Sequence, residues 1–132
     1  MILLIDKNIL LLETMHDYLR ALGHRCMTTQ DTLEGLDIIS REPETRLVIS
    51  EFKMPYCNGA ELIKQARDIR PALKSILIAS RHDIDTIPAG TLFLAKPFSF
   101  DALGLMVSLY DGLKKESPNS ASSNQRLASH WS

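Results

Sequence analysis

Cysteine is scarce in this chain: only Cys26 and Cys57 occur. Two thiols cannot build the disulfide framework of a small secreted scaffold, and they read as reduced groups in a cytosolic protein. Charge of either sign is barely in excess. Fifteen Lys and Arg against sixteen Asp and Glu leave a formal net charge of −1. A dedicated nucleic-acid binder would carry a basic surplus, and a polyelectrolyte tail would carry blocks of one sign. Long apolar runs are missing as well. Ile2-Leu3-Leu4-Ile5 stops at Asp6-Lys7, which fits neither a secretory signal nor the roughly 18 apolar residues of a membrane span. We therefore expect a cytoplasmic protein with no direct nucleic-acid partner and no membrane partner.

Several chemical signatures are also lacking. Asp6-Lys7-Asn8 after the first apolar run matches neither the dinucleotide fingerprint nor the P-loop. The four histidines, His16, His24, His82 and His130, have no metal-site spacing. Ser80 has no flanking glycines and so no nucleophile elbow. Cys57 lacks a basic neighbour in sequence and is weak as a redox group. No resident metal is expected, and nothing marks the chain as an enzyme.

What is present is a globular pattern. The chain has 132 residues, 45% of them hydrophobic, enough for one ordinary core. Short apolar runs alternate with amphipathic stretches. Strands are predicted at Ile2–Ile5, Arg25–Thr29, Leu47–Ile49, Ile76–Ala79 and Leu92–Leu94. Helical stripes lie between and after them. The first carries Leu12, Met15, Leu19 and Leu22, capped by Asn8 and stopped by Gly23. The second carries Leu33, Leu36, Ile38 and Ile39, capped by Asp31. Leu62, Ile63, Ala66 and Ile69 form the third. Leu103, Met106, Val107 and Tyr110 form the last, with Ser99 as cap. Five strand–helix units predict a doubly wound parallel α/β sheet with helices on both faces. The domain spans 1–115, and 116–132 reads as a Ser-rich flexible tail.

In such a sheet the site lies beyond the carboxyl ends of the strands. There the chain places Asp6, Lys7, Glu51, Ser80 and Lys96. Two acids, a hydroxyl and ammonium groups at one sheet edge suit a phosphoryl or metal site, or merely polar strand ends meeting solvent.

The stretches Ile2-Leu3-Leu4-Ile5-Asp6, Leu47-Val48-Ile49-Ser50-Glu51-Phe52-Lys53-Met54-Pro55 with Asn58-Gly59, Ile76-Leu77-Ile78-Ala79-Ser80, and Phe93-Leu94-Ala95-Lys96-Pro97-Phe98 resemble a response regulator receiver domain of bacterial two-component signalling. The resemblance implies a flavodoxin-like (βα)5 fold with strand order 2-1-3-4-5. It also implies an aspartate after the third strand that takes a phosphoryl group from a histidine kinase, and two acids after the first strand that bind magnesium. A Ser or Thr and a Lys contact the phosphoryl group in that family. Ser80 and Lys96 match those last two roles, Asp6 matches the first acid, and Phe93 stands at the switch aromatic. Two positions depart: Lys7 replaces the second acid, and Glu51 replaces the phosphoacceptor aspartate.

Charge arithmetic gives those departures a meaning. Asp6 and Glu51 balance Lys7 and Lys96, so the pocket is neutral without a metal. Lys7 is expected to pair with Glu51 or Asp6 where magnesium would sit, leaving magnesium binding lost or weak. Glu51 is longer by one methylene and extends toward the phosphoryl position, which imitates a phosphoaspartate in part. The plainer reading is drift that kept a salt bridge. Only 15 residues separate Ser80 from Lys96, fewer than is usual in the family, so the fourth helix is expected to be one turn or absent. That puts the family's dimerisation and effector face in doubt, though a homodimer stays possible. The leading expectation is a stand-alone, phosphorylation-independent interaction module of a phosphorelay, its partner a histidine kinase or a downstream effector. A divergent working phospho-receiver and a flavodoxin-like small-ligand binder are the alternatives.

Overall fold

The computed structural model describes residues 1–84 and 86–114. Strands and helices follow in the order β1 (Ile2–Ile5), α1 (Ile9–Ala21), β2 (Cys26–Thr29), α2 (Thr32–Arg41), β3 (Leu47–Glu51), α3 (Gly59–Ile69), β4 (Lys74–Ala79), β5 (Thr91–Ala95) and α4 (Phe100–Lys114). Every neighbouring pair of strands is parallel, and their order is β2-β1-β3-β4-β5. This is the flavodoxin-like (βα)5 fold with one helix reduced. Among the described residues between β4 and β5, the helical structure is a 3-10 turn at Arg81–Asp83. The tail assigned to 116–132 lies outside the described residues. No helix among the described residues is long and apolar enough to cross a membrane.

Local chemistry sets the helix ends. Asn8 Oδ1 accepts from the Leu10 and Leu11 amides, Asp31 Oδ1 from Leu33, and Asn58 Oδ1 from Glu61. Each supplies a partner for a first-turn N–H that the helix cannot satisfy itself. At the other end of α1, Gly23 has φ +97°. Its amide reaches the Arg20 carbonyl, and the His24 amide reaches Leu19. The last carbonyls of α1 are thus answered by the backbone.

The central strands β1 and β3 are buried along their whole length, as their unbroken apolar runs require of a sheet covered on both faces. On one face Leu3, Ile5, Val48 and Leu77 pack against Ile38 and Ile39 of α2 and Leu62, Ile63 and Ala66 of α3. On the other, Ile2, Leu4, Ile49 and Ile78 pack against Leu12, Met15 and Leu19 of α1 and Leu103 and Val107 of α4. Each fully buried aliphatic side chain contributes roughly 1.5–3 kcal/mol relative to exposure.

Three residues of the predicted stripes point elsewhere, and Leu22, at 38% exposed, is one of them. Leu33 is 57% exposed and Ile69 is 44% exposed. The buried face of α2 runs instead through Thr32, Gly35, Ile38 and Ile39. Gly35 sits so near β1 that a Cβ there would lie 2.6 Å from Ile5 Cδ1. That close approach centres the contact on Gly35 and turns Leu33 outward.

The missing crossover helix changes what covers β4 and β5. Ser75 and Thr91 are paired in register, and their hydroxyls lie 2.8 Å apart. Arg67 Nη2 of α3 donates to both, at 3.0 Å each. Tyr110 Oη of α4 donates to the Ser75 carbonyl at 2.8 Å. Side-chain hydrogen bonds therefore hold a seam that an apolar helix face would otherwise cover.

At the start of α3 a Cβ on Gly59 would overlap the Glu51 carbonyl oxygen and lie 2.8 Å from Leu77 Cδ1. Gly59→Ala is expected to destabilise the fold by about 1–3 kcal/mol through overpacking, despite alanine's better helix propensity. Urea unfolding measures this. A stabilised variant would show that α3 shifts freely at its first turn.

Candidate functional site

β1 and β3 end side by side, Ile5 paired with Ser50, so Asp6 and Glu51 follow as neighbours at the carboxyl edge. β4 and β5 end on the pair Ala79 and Ala95, which places Ser80 and Lys96 alongside. Asp6, Lys7, Glu51 and Lys96 meet there. Glu51 is buried, and its two carboxylate oxygens are taken by two ammonium groups. Lys7 Nζ donates to Oε2 at 2.9 Å, and Lys96 Nζ donates to Oε1 at 2.5 Å. Of the two acids open to Lys7 from sequence, its partner is Glu51. Lys7 Nζ also donates to the backbone carbonyl of Lys53. That carbonyl went unnoticed in the sequence, because a main-chain oxygen carries no residue signature. The Lys7 carbonyl in turn accepts from Gln30 Nε2 at 3.0 Å, which fixes the turn after β1.

Asp6 is fully buried. The Asn8 amide donates to its Oδ1 at 2.8 Å, while Oδ2 has no hydrogen-bond partner. Burial raises the Asp6 pKa, the Asn8 amide opposes this, and the Glu51 carboxylate raises it further. Burial also acts to raise Glu51, but the hydrogen bonds and charges of Lys96 and Lys7 outweigh it and hold Glu51 below the usual range. Two neighbouring carboxylates are thus driven apart in acidity, as expected when only one has cationic partners.

The oxygens at this edge, Glu51 Oε2 and the Lys53 carbonyl, are of the kind a hard divalent cation uses. The Lys7 ammonium already lies against both. As arranged, a cation approaching those two oxygens would meet the Lys7 ammonium.

Ser80 and Phe93 are not drawn into this ion cluster. Ser80 Oγ accepts from the His82 amide at 3.4 Å and caps the 3-10 turn. Phe93 is half-buried in β5, opposite Leu77, on the sheet face that α3 packs against. The turn is tied across the site by Lys53 and Asp83, 3.6 Å apart. Cys57 is buried, and burial raises its thiol pKa, so it stays protonated and unreactive at neutral pH.

Comparison with known proteins agrees with this architecture. The family model described as response regulator receiver domain matches residues 2–108. Over 122 residues the chain is 29% identical to transcriptional regulatory protein GlrR of Escherichia coli (strain K12), a match covering 89% of this chain and 27% of that protein. It is 26% identical over 118 residues to sporulation initiation phosphotransferase F of Bacillus subtilis (strain 168), covering 86% and 94% of the two chains. Among solved structures, a receiver domain protein from Clostridium thermocellum aligns with TM-score 0.80 at 25% identity, covering 86% of this chain and 95% of that one. The receiver domain of hybrid histidine kinase CckA aligns at 0.73 and 26% identity, covering 82% and 95%. The chain spans about a quarter of the length of the transcriptional regulators it matches.

The linkage signs of the two acids are opposite. Asp6, with its folded pKa raised, costs stability once pH exceeds its ordinary value of 3.8. Glu51, with its folded pKa lowered, contributes stability above 4.5 that is lost as pH falls through its depressed value. Asp6→Asn is therefore expected to stabilise the protein at neutral pH. The gain is on the order of 1 kcal/mol, because the amide carries no charge to bury beside the Glu51 carboxylate. It should shrink as pH is lowered toward 4. Urea titrations of both proteins across that range check it, and destabilisation at neutral pH would contradict it.

Proposed function

The chain belongs to the response regulator receiver domain family, and from that premise we propose that it serves two-component signalling as a phosphorylation-independent interaction module. One observation carries the reading: both oxygens of Glu51, at the phosphoacceptor position, are occupied by lysine ammonium groups. Phosphoryl transfer to a carboxylate needs a free nucleophilic oxygen and a cation to neutralise the incoming charge. Here the cations are built into the chain, and their hydrogen bonds occupy the nucleophile. A magnesium ion at Lys7 would add like charge beside an ammonium, and only Asp6 remains as a second carboxylate. We take the chain to be neither an enzyme nor a magnesium protein.

Lys96 is then a holder of Glu51, and Lys7 takes the place of the ion. The Glu51 carboxylate, longer by a methylene than aspartate, carries one charge into the space between the two lysines. One charge is less than the roughly two of a phosphoryl group, and two lysines against one carboxylate suit that smaller load. The partner in this reading is another signalling protein, a histidine kinase or a downstream effector, that reads the surface around the carboxyl edge.

Incubation of the intact chain with acetyl phosphate and magnesium is expected to leave its mass unchanged. Beryllofluoride with magnesium is expected to leave its amide spectrum unchanged. A phosphoryl adduct on the wild-type chain would overturn the proposal. The double variant Lys7→Asp, Glu51→Asp should gain magnesium binding, read as saturable amide shifts around residues 6 and 51. Failure of that variant to bind would show that charge compensation by Lys7 is not what excludes the ion.

A further inference from the structure

At the opposite, amino edge of the sheet, basic side chains gather at the surface. The last turn of α1 and the start of β2 border a cleft of about 380 Å³ lined by His16, Arg20, His24 and Arg25, with Met1 and Met27 on its wall. Its volume falls within the range of small-molecule sites. Arg20 would ordinarily be explained as a cap for the carbonyls of α1. Those carbonyls already accept from the Leu22, Gly23 and His24 amides, and the Arg20 guanidinium has no partner among the described residues. Arg25 has one, a surface contact of 3.3 Å to Glu44 with both side chains well exposed. Such a pair is weak and leaves most of the guanidinium donors free. His16 Nδ1 lies 3.3 Å from Asp17 Oδ1, which leaves its Nε2 for another partner. The Asp17 side chain is 83% exposed.

We propose that this cleft binds a small phosphate monoester, the phosphate held by Arg20 and Arg25 with His16 beside it and the organic part against Met27. The donor set suits the ligand. Two guanidiniums present planar forks that match phosphate oxygens, and the exposed Met27 offers adaptable apolar surface. The cleft's thiol adds no opposing charge: burial pushes Cys26 up to about 11, against the lowering effect of the amino terminus and Arg46. The site lies at the far end of the strands from Glu51, and its ligand would reach the carboxyl edge only through the sheet.

The test uses phenyl phosphate titrated into the full chain at neutral pH, followed by amide chemical shifts. Saturable shifts centred on residues 20–27, absent around residues 6, 51 and 96, are expected. Arg20→Ala, an exposed substitution that should fold normally, is expected to weaken binding about tenfold, the loss of a charge-assisted contact. Arg20→Lys should recover part of it. No saturation by about 10 mM, a range weaker than millimolar affinity, would overturn the proposal. So would equal shifts with benzyl alcohol, unchanged binding by Arg20→Ala, or shifts confined to the Lys7 and Lys96 edge.

Discussion

The Glu51 carboxylate, held between two ammonium groups, is the constraint from which the carboxyl edge of this molecule takes its shape. A buried carboxylate without partners would be costly. Each lysine that relieves it belongs to a different connection: Lys7 to the turn after β1, Lys96 to the turn after β5. Lys7 also reaches the Lys53 carbonyl in the loop after β3. Through the Glu51 side chain the turns after β1 and β5 are therefore tied to the end of β3. A buried ion pair of this kind adds little net stability over an apolar replacement, though breaking it is expensive. Its effect is geometric: the loops take the positions from which both lysines can reach Glu51. Gly59 sharpens that constraint, because the first turn of α3 rests on the Glu51 backbone.

Much of this architecture was legible before any coordinates. The parallel sheet with helices on both faces followed from alternation of apolar runs with amphipathic stretches, since a strand covered on both faces reads differently from a half-exposed helix, whereas the strand order came only from the resemblance to receiver domains. Asn8, Asp31 and Gly23 announced their helix ends, because capping depends on a residue and its immediate neighbours. The balance of two acids and two lysines could also be counted. Less local features could not. Which acid Lys7 selects depends on side-chain reach across two strands. The exposure of Leu33 and Ile69 depends on how closely α2 and α3 approach the sheet, a distance that Gly35 sets for α2. Nothing in the sequence marks Arg67, and only the reduced crossover between β4 and β5 accounts for its place over Ser75 and Thr91.

The two edges of the sheet handle charge in contrasting ways. At the carboxyl edge, opposite charges meet within hydrogen-bonding distance and satisfy one another. At the amino edge, guanidinium and imidazole groups gather around a cleft, and the nearby carboxylates of Asp17 and Glu44 are well exposed. The near-zero total charge conceals this separation. A family whose chemistry belongs at the carboxyl edge here holds Glu51 between two lysines at that edge, while the exposed guanidiniums of Arg20 and Arg25 lie at the other.

The connection from β4 to β5 has a consequence for what the chain can still lose. Residues 80 to 90 join the two strands, and parallel neighbours need a crossover of about a dozen residues to return to the same end of the sheet. This link already stands at that topological floor. Deletions elsewhere on the surface can be absorbed by shortening a loop, but here there is no slack to remove. The β4–β5 segment is trimmed to its geometric minimum, and further shortening would detach the fifth strand and withdraw Lys96 from Glu51.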